Sequence, residues 1–212
     1  MTPETLFVYV GLCILLAISP GPDNIFVLLQ SALHGYRTGF LIVLGLCTGL
    51  LFHTFLVTVG VAGLIAASAT AFTVLKLLGA AYLLYLAWSA FKAGPVGVVS
   101  SREDTTAAPV LSGRQFYRRG ILMNISNPKV SLFFLAFLPQ FTNPASGSIK
   151  LQFIWLSAIF ILSTLLVFCS IVMFSGYFGQ LLKKSARAQL MLNRFTALVF
   201  AGLAVRLAFS VK

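Results

Sequence analysis

The sequence predicts an all-α integral membrane protein with six transmembrane helices, built as two inverted three-helix repeats, with helices 1 and 4 broken at mid-membrane. Three observations lead to this fold class: a scarcity of charge, long apolar runs that recur along the chain, and prolines inside two of those runs. Hydrophobic residues make up 59% of the 212 positions and charged residues only 9%, with a mean hydropathy of +0.98. Because a soluble domain carries about 25% charged residues, we expect lipid rather than water around this fold.

Six apolar runs are long enough to cross a bilayer, which takes about 20 residues each. Backbone groups in hydrocarbon need internal partners, so each run is predicted to be helical, and the runs lack the alternation of a β-barrel. The predicted helices cover Thr5–Leu33, Thr38–Ala66, Thr70–Phe91, Gln115–Phe141, Ile149–Tyr177 and Asn193–Phe209. A polar loop of about 92–113 separates repeat one (about 1–91) from repeat two (about 114–212) within a single domain, 1–212.

The net charge of +11 lies between the apolar runs and forms no stripe with interleaved aromatic residues. This distribution argues against a nucleic-acid partner and is typical of a membrane protein whose basic loops set its orientation and contact lipid headgroups. Three alternate loops hold Arg37, Lys92, Arg102, Arg114, Arg118, Arg119, Lys183, Lys184, Arg187 and Arg194. The other side has only Lys76, Lys150, Arg206 and Lys212. The positive-inside rule therefore predicts cytoplasmic basic loops and both termini outside.

The first and fourth helices share an unusual feature, a proline-containing break near the middle. Ser19–Asn24 reads Ser-Pro-Gly-Pro-Asp-Asn, and Asn124–Lys129 reads Asn-Ile-Ser-Asn-Pro-Lys. Proline lacks a backbone donor and clashes with the preceding turn, so both helices should be kinked or broken there. When the sequence is aligned with itself so that Pro22 coincides with Pro128, the second predicted helix coincides with the fifth. The sixth is offset from the third, and a longer loop at 178–192 accounts for that offset. Halves of three helices enter the membrane from opposite sides, and paired broken helices mark the binding site of such an inverted repeat.

Asp23 and Lys129 are the charged residues deep in these two helices, and each follows a helix-breaking proline. A lone charge at mid-bilayer costs several kcal/mol, so such residues usually face a cavity and pair with another group. One interpretation is a static salt bridge that locks helices 1 and 4 together. The other is a working pair, in which Asp23 binds a proton or a substrate ammonium group while Lys129 meets a substrate carboxylate.

Other residues near the breaks complete the predicted site. The prolines should expose backbone groups at half-helix ends, where the helix dipoles favour charged ligand groups. The residues in question are Pro20, Gly21, Pro22, Asn24, Asn124, Asn127 and Pro128. The asparagines either satisfy the freed backbone groups or bind substrate. His53, in the middle of the second helix, is either a packing residue or a proton relay.

Cysteine and glycine patterns narrow the class of protein. Cys13, Cys47 and Cys169 lie singly in apolar runs, without metal-ligand spacing, so we expect no metal, no cofactor and no enzyme activity. A thiol–disulfide carrier of similar layout would need two neighbouring cysteines at the breaks. The spacings Gly35-xxx-Gly39 and Gly45-xxx-Gly49 permit close helix packing or a homo-oligomer.

The motifs together resemble the LysE/RhtB family of amino-acid exporters. The matching stretches are Ser19–Asn24, His34–Gly39, Leu77–Leu86, Asn124–Lys129, Phe134–Phe141 and Phe200–Leu207. The resemblance implies export of small amino acids or derivatives across the bacterial inner (plasma) membrane by antiport with protons, with substrates on the threonine, homoserine and homoserine lactone side of the family. The family's motif positions carry over as Pro20, Gly21, Pro22, Asp23, Asn24, Asn127, Pro128 and Lys129.

The resulting hypothesis is alternating access around the two breaks. A substrate places its carboxylate toward Lys129 and its ammonium toward Asp23, the two halves rock, and a proton taken up by Asp23 from outside releases the amino group. The alternative within transport is export of a cation or another small metabolite on a related six-helix fold. A metal route would want several acidic, histidine or cysteine ligands at one cavity.

Overall fold

The computed structural model of this protein describes residues 3–61, 69–94, 111–176 and 186–209, and within those ranges every regular element is a helix. In chain order these are α1 (Pro3–Ile18), α2 (Pro22–His34), α3 (Tyr36–Leu56), α4 (Ala69–Lys92), α5 (Gly113–Ile125), α6 (Pro128–Leu132), α7 (Ile149–Met173) and α8 (Ala186–Phe209). A π-helix, Val57–Val61, extends α3, whereas α6 continues through a π-helix, Phe133–Phe137, and a 3₁₀ turn, Leu138–Phe141. A second 3₁₀ turn, Pro144–Ser146, precedes α7.

The described helices include four that are long and apolar enough to cross a membrane, Tyr36–Gly60, Thr70–Lys92, Ile149–Met173 and Gln189–Phe209. Two further pairs qualify jointly, but each is bent at a short break. We call α1 with α2 the first broken segment, bent by 59°, and α5 with Pro128–Phe141 the second, bent by 48°. The spans number up to six if each bent pair is one span, and both bends lie at the predicted proline motifs.

The remaining boundaries differ modestly from those predicted. The last helix begins at Ala186 rather than Asn193, because alanine, arginine, glutamine and leucine favour helix even where the chain is too polar to lie in lipid. The predicted ends of the second and fifth helices, Ala66 and Tyr177, lie outside the described residues. So do parts of the predicted loops, 95–110 and 178–185, and the basic residues Arg102, Lys183, Lys184 and Lys212.

α3 packs closely against α5, which is the first half of the second broken segment. A Cβ added at Gly45 would collide with the backbone carbonyl of Tyr117, and one added at Gly120 would collide with that of Ile42. A Cβ at Gly49 would lie only 2.7 Å from Cβ of Asn124. The Gly45–Gly49 spacing therefore serves contact within the chain. Elsewhere α8 packs along α4, and α7 packs against the first broken segment and α3.

Two apolar clusters fill the interior. The larger, the aromatic cluster, is built around Tyr9, Phe133, Phe134, Phe137 and Phe160. The smaller, the aliphatic cluster, includes Ala17, Val27, Leu46, Phe168 and Val172. The exterior is apolar as well, with Phe7 82%, Leu198 74% and Trp155 70% exposed. An outer surface of this kind suits contact with lipid, as expected of a multi-pass membrane protein.

Candidate functional site

The first break forms because two prolines remove the donors that α1 and α2 would need to join. The carbonyl of Leu16 would normally pair with the N–H of residue 20, and that of Ile18 with residue 22, but both positions are proline. Gly21 continues in extended backbone, with φ −163° and ψ 177°. Pro22 then starts α2 at a position where a missing N–H costs nothing. Asp23 follows in the first turn of α2, where the helix dipole favours negative charge.

The second break has the same construction. α5 ends at Ile125, and Asn127 caps the next helix, since its Oδ1 accepts a hydrogen bond from the backbone N–H of Lys129 over 3.0 Å. Pro128 occupies the first helical position and the charged Lys129 follows it, just as Asp23 follows Pro22. The two breaks thus present opposite charges at equivalent places in their helices.

Lys129 crosses from the second break to the end of α1. Its ammonium donates to the carbonyl of Ser19 at 3.0 Å and to that of Leu16 at 3.3 Å, and Leu16 is the residue whose helical partner Pro20 has no N–H. The side-chain amide of Asn24 donates to the carbonyl of Ala17 at 2.7 Å. These bonds satisfy the carbonyls of Leu16, Ala17 and Ser19 at the end of α1, and the negative end of the α1 dipole adds to the attraction for the ammonium.

Asp23 is held from the other segment too. Nδ2 of Asn127 donates to Oδ2 of Asp23 over 2.8 Å, and both side chains are buried. Among the contacts of the described residues, no direct ion pair joins Asp23 to Lys129. The predicted alternative of a static salt bridge therefore does not describe this arrangement. Each charge is instead held by groups of the opposite broken segment.

Glycine at position 21 allows Lys129 to reach α1. A Cβ built at Gly21 would lie 3.1 Å from Nζ of Lys129, closer than carbon and nitrogen normally approach. A methyl group at this position would require the ammonium to shift by a few tenths of an ångström. This gives the glycine of the Pro-Gly-Pro motif a steric role beside the two prolines.

His53 reaches the second break from α3. Its Nε2 lies 3.2 Å from the carbonyl oxygen of Asn124, whose helical partner at position 128 is a proline. The same carbonyl accepts from the N–H of Asn127 at 3.1 Å. Because a carbonyl only accepts, Nε2 must carry the hydrogen. The His53 ring also packs on Phe134, with centroids 5.5 Å apart. His53 thus caps α5 much as Lys129 caps α1.

A small cavity lies between the breaks and α7. Asp23, Asn124 and Lys129 line it, together with Phe160, Thr164 and Phe168 of α7 and several aliphatic side chains of α1 and α3. The space in it for water-sized molecules is about 20 Å³, enough for about one water. It lies where the two clusters meet, since Phe160 belongs to the aromatic cluster and Phe168 to the aliphatic cluster. An amino acid would enter only if one cluster moved aside.

Several polar atoms at the cavity have no partner, although buried polar atoms are nearly always hydrogen-bonded. Those lining it are Asp23 Oδ1, Asn124 Oδ1 and Thr164 Oγ1, and Ser19 Oγ and Asn24 Oδ1 lie close by at the first break. The unpaired carboxylate oxygen of Asp23 is therefore available to accept a hydrogen bond from a bound molecule. In the described part of the chain, no three His, Cys, Asp or Glu side chains come together as metal ligands would.

The structure brings together the site residues that the sequence predicted. Asp23, Asn24, Asn124, Asn127 and Lys129 surround the two breaks, with His53 at the edge. Sequence reasoning missed Thr164 and the backbone carbonyls of Leu16 and Ser19. One signal could have found Thr164: Ser157, Phe160, Thr164 and Phe168 recur at helical spacing along a single buried face of α7.

Comparison with known proteins identifies a matching family and several relatives. The LysE type translocator family matches residues 14–211. The chain is 31% identical to the uncharacterized membrane protein YrhP of Bacillus subtilis over 98% of this chain and 100% of that protein. It is 38% identical to the homoserine/homoserine lactone efflux protein of Salmonella typhimurium over 68% of each chain. Identity to the leucine efflux protein of an Enterobacter species is 29%, over 94% of this chain and 93% of that one. No solved structure matches.

A family of translocators with relatives named as efflux proteins indicates a transporter rather than an enzyme. The family match covers both proline breaks and the whole of the cavity. This chain belongs to the LysE type translocator family.

Proposed function

We propose that this protein is a secondary active exporter of small amino acids or derivatives of the threonine, homoserine and homoserine lactone type, driven by proton antiport. The observation that carries the proposal is the crossed arrangement at the two breaks, where Lys129 binds the carbonyls of Leu16 and Ser19 and Asn127 binds Asp23. Oppositely charged groups at facing half-helix ends suit a zwitterion, because an amino acid carries one charge of each sign. The names of the efflux relatives support the same substrate class.

The proposed architecture is six spans in two inverted repeats. At both breaks an N-cap residue is followed by a proline and then by a charged residue, in Gly21-Pro22-Asp23 and Asn127-Pro128-Lys129. The packing supports a two-fold relation as well. In a two-fold repeat α3 corresponds to α7, and the first broken segment corresponds to the second. The contact of α3 with the second broken segment then has a counterpart in the contact of α7 with the first, and both contacts exist. The packing of α4 on α8 would map onto itself.

In the proposed cycle, substrate replaces contacts that the protein makes with itself. The ammonium of an amino acid approaches Asp23, and its carboxylate approaches Lys129 as that side chain leaves the carbonyls of α1. Rocking of the two repeats opens the aromatic cluster or the aliphatic cluster in turn, which exposes the site to one side at a time. A proton taken up by Asp23 removes the attraction for the ammonium, and the return of the protonated carrier completes antiport.

The proposed orientation puts both termini outside the bacterial inner membrane. Arg114 at the start of α5 and Lys150 at the start of α7 belong to opposite sides in this scheme. In a background without Cys13, Cys47 and Cys169, a membrane-impermeant maleimide should label Lys150→Cys in intact cells. Arg114→Cys should react only after the cells are permeabilised. The reverse pattern would contradict the orientation.

An export assay tests the function. Cells are loaded with dipeptides of threonine, homoserine, leucine, cysteine or lysine, and efflux of the free amino acid is followed. The wild type is compared with Lys129→Ala and, as a matched control, with Lys150→Ala, whose lysine is exposed at the start of α7. Faster efflux of threonine or homoserine with the wild type and the control, lost with Lys129→Ala, is expected. Wild-type cells that export none of these amino acids would contradict the proposal.

A further inference from the structure

Hydroxyl groups in the helices of this protein mostly donate to the carbonyl four residues earlier. Ser31 donates to Val27 at 2.6 Å, Thr54 to Leu50 at 2.9 Å and Thr196 to Leu192 at 2.8 Å. Such a bond satisfies the hydroxyl inside an apolar helix without help from another segment. Thr164 is only 6% exposed, yet its Oγ1 has no partner. Ser157 on the same helix is a second buried hydroxyl without a partner, but of the two only Thr164 lines the cavity.

Thr164 departs from this rule at the cavity. It lines the cavity from α7, a helix that contains no break, and faces the same space as Asp23 and Asn124. Oδ1 of each of those two residues is unpaired as well. Phe160 and Phe168, one turn to either side of Thr164, line the cavity above and below it. The hydroxyl is thus a lone polar group set in an aromatic wall across from the charged breaks.

The hydrogen-bonding capacities of these groups differ. The free carboxylate oxygen of Asp23 can only accept, which fits an ammonium group with its three donors. A threonine hydroxyl both donates and accepts, so it fits another hydroxyl better than it fits an ammonium group. With the ammonium of a substrate at Asp23, the α7 wall would meet the side chain of that substrate. An apolar side chain there would leave the hydroxyl of Thr164 buried and unpaired.

We propose that Thr164 is a specificity-determining residue, which hydrogen-bonds a hydroxyl on the substrate side chain and selects small hydroxylated amino acids over apolar ones of equal size. The inference rests on the proposed function and narrows it. Sites built to bind a substrate hydroxyl discriminate strongly against the analogue that lacks it, because the group in the site then loses its partner. Phe160 and Phe168 limit the length of the side chain that fits between them.

The test compares homoserine with 2-aminobutyrate, which differs from it only by the absence of the hydroxyl. Purified protein is reconstituted into liposomes loaded with unlabelled homoserine, and uptake of each labelled amino acid by exchange is measured. The wild type should prefer homoserine by about 10-fold or more. Thr164→Val, which keeps the shape of the side chain, should bring the ratio close to one while it still exchanges 2-aminobutyrate. Thr164→Ser should keep the preference.

Thr196→Val is the matched control, since the hydroxyl of Thr196 is satisfied by its own helix, and its ratio should equal that of the wild type. Thr164→Ala, which introduces no added bulk, gives the same comparison if the valine variant does not fold. A wild type without preference for homoserine, or a preference that survives both variants, overturns the inference and leaves the exporter proposal standing. A wild type that exchanges no amino acid overturns both.

Discussion

Asn127 bonds with one side chain to both charged residues of the site, to the carboxylate of Asp23 and to the backbone of Lys129. Its Nδ2 donates to Oδ2 of Asp23 at 2.8 Å, and its Oδ1 accepts from the backbone N–H of Lys129 at 3.0 Å. The side chain is only 3% exposed, and a hydrogen bond to a charged group contributes about 1.5–3 kcal/mol. This amide is therefore one of two links between the breaks, beside the Lys129 ammonium that binds the carbonyls of Leu16 and Ser19.

Replacing the amide by a carboxylate tests that dependence. Asn127→Asp keeps an oxygen that can cap Lys129 but places a second acid against Asp23, so we expect destabilisation by about 3 kcal/mol or more. The exchanged pair, Asp23→Asn with Asn127→Asp, restores one donor and one acidic acceptor and should recover much of that loss. Thermal unfolding of the purified proteins in detergent measures both. An exchanged pair no more stable than Asn127→Asp alone would contradict the prediction.

The single substitution Asp23→Asn should leave the protein folded and abolish the coupling of export to protons. An asparagine oxygen can still accept the hydrogen bond from Asn127, so insertion is expected to be retained and stability to change by no more than about 1 kcal/mol. Proton-driven export should nevertheless be abolished, because the side chain can no longer carry a proton or attract an ammonium group. Efflux from vesicles with an imposed pH gradient, at matched protein amounts, is the measurement. Normal coupled export by this variant would remove Asp23 from the mechanism.

The positions of the breaks could be predicted because proline acts locally. Pro20, Pro22 and Pro128 lack an N–H whatever surrounds them, so the helices had to be interrupted there. The close approach of Gly45 could be anticipated only in part. Its spacing to Gly49 indicates a small-residue contact, but which helix makes that contact depends on how α3 and α5 meet in the fold.

The partners of the charged residues could not be predicted in the same way. Two opposite charges in apolar helices suggest a salt bridge, yet the ammonium of Lys129 binds carbonyls of Leu16 and Ser19. Which carbonyls are freed follows from the prolines, whereas which side chain reaches them follows from tertiary packing. Thr164 was missed for a related reason. Helical spacing could have placed Thr164 on a buried face of α7, but a hydroxyl in a helix usually bonds to its own backbone, and the sequence does not show that this one has no such bond.

A double-mutant cycle can show whether Lys129 caps the carbonyl that Pro20 frees. Lys129→Met should destabilise the protein by about 2–3 kcal/mol, because buried carbonyls lose a charged donor. Pro20→Ala supplies an N–H that can bond to the carbonyl of Leu16, so in its presence Lys129→Met should cost at least about 0.5 kcal/mol less. Thermal unfolding of the four proteins gives the coupling. Strict additivity of the two changes would show that Lys129 does not act through this carbonyl.

The α3–α5 contact predicts opposite effects for the same substitution at two glycines. In Gly45→Ala the new methyl group meets the backbone carbonyl of Tyr117, which cannot rotate away, so the helices must separate and we expect a loss of about 1–3 kcal/mol. A Cβ at Gly11, within α1, meets no atom within 4 Å. Gly11→Ala should therefore stabilise the protein by about 0.5–1 kcal/mol, since alanine loses less backbone entropy in a helix. Unfolding temperatures in one detergent compare the two directly, and equal stability of the two variants would mean that α3 and α5 do not touch at Gly45.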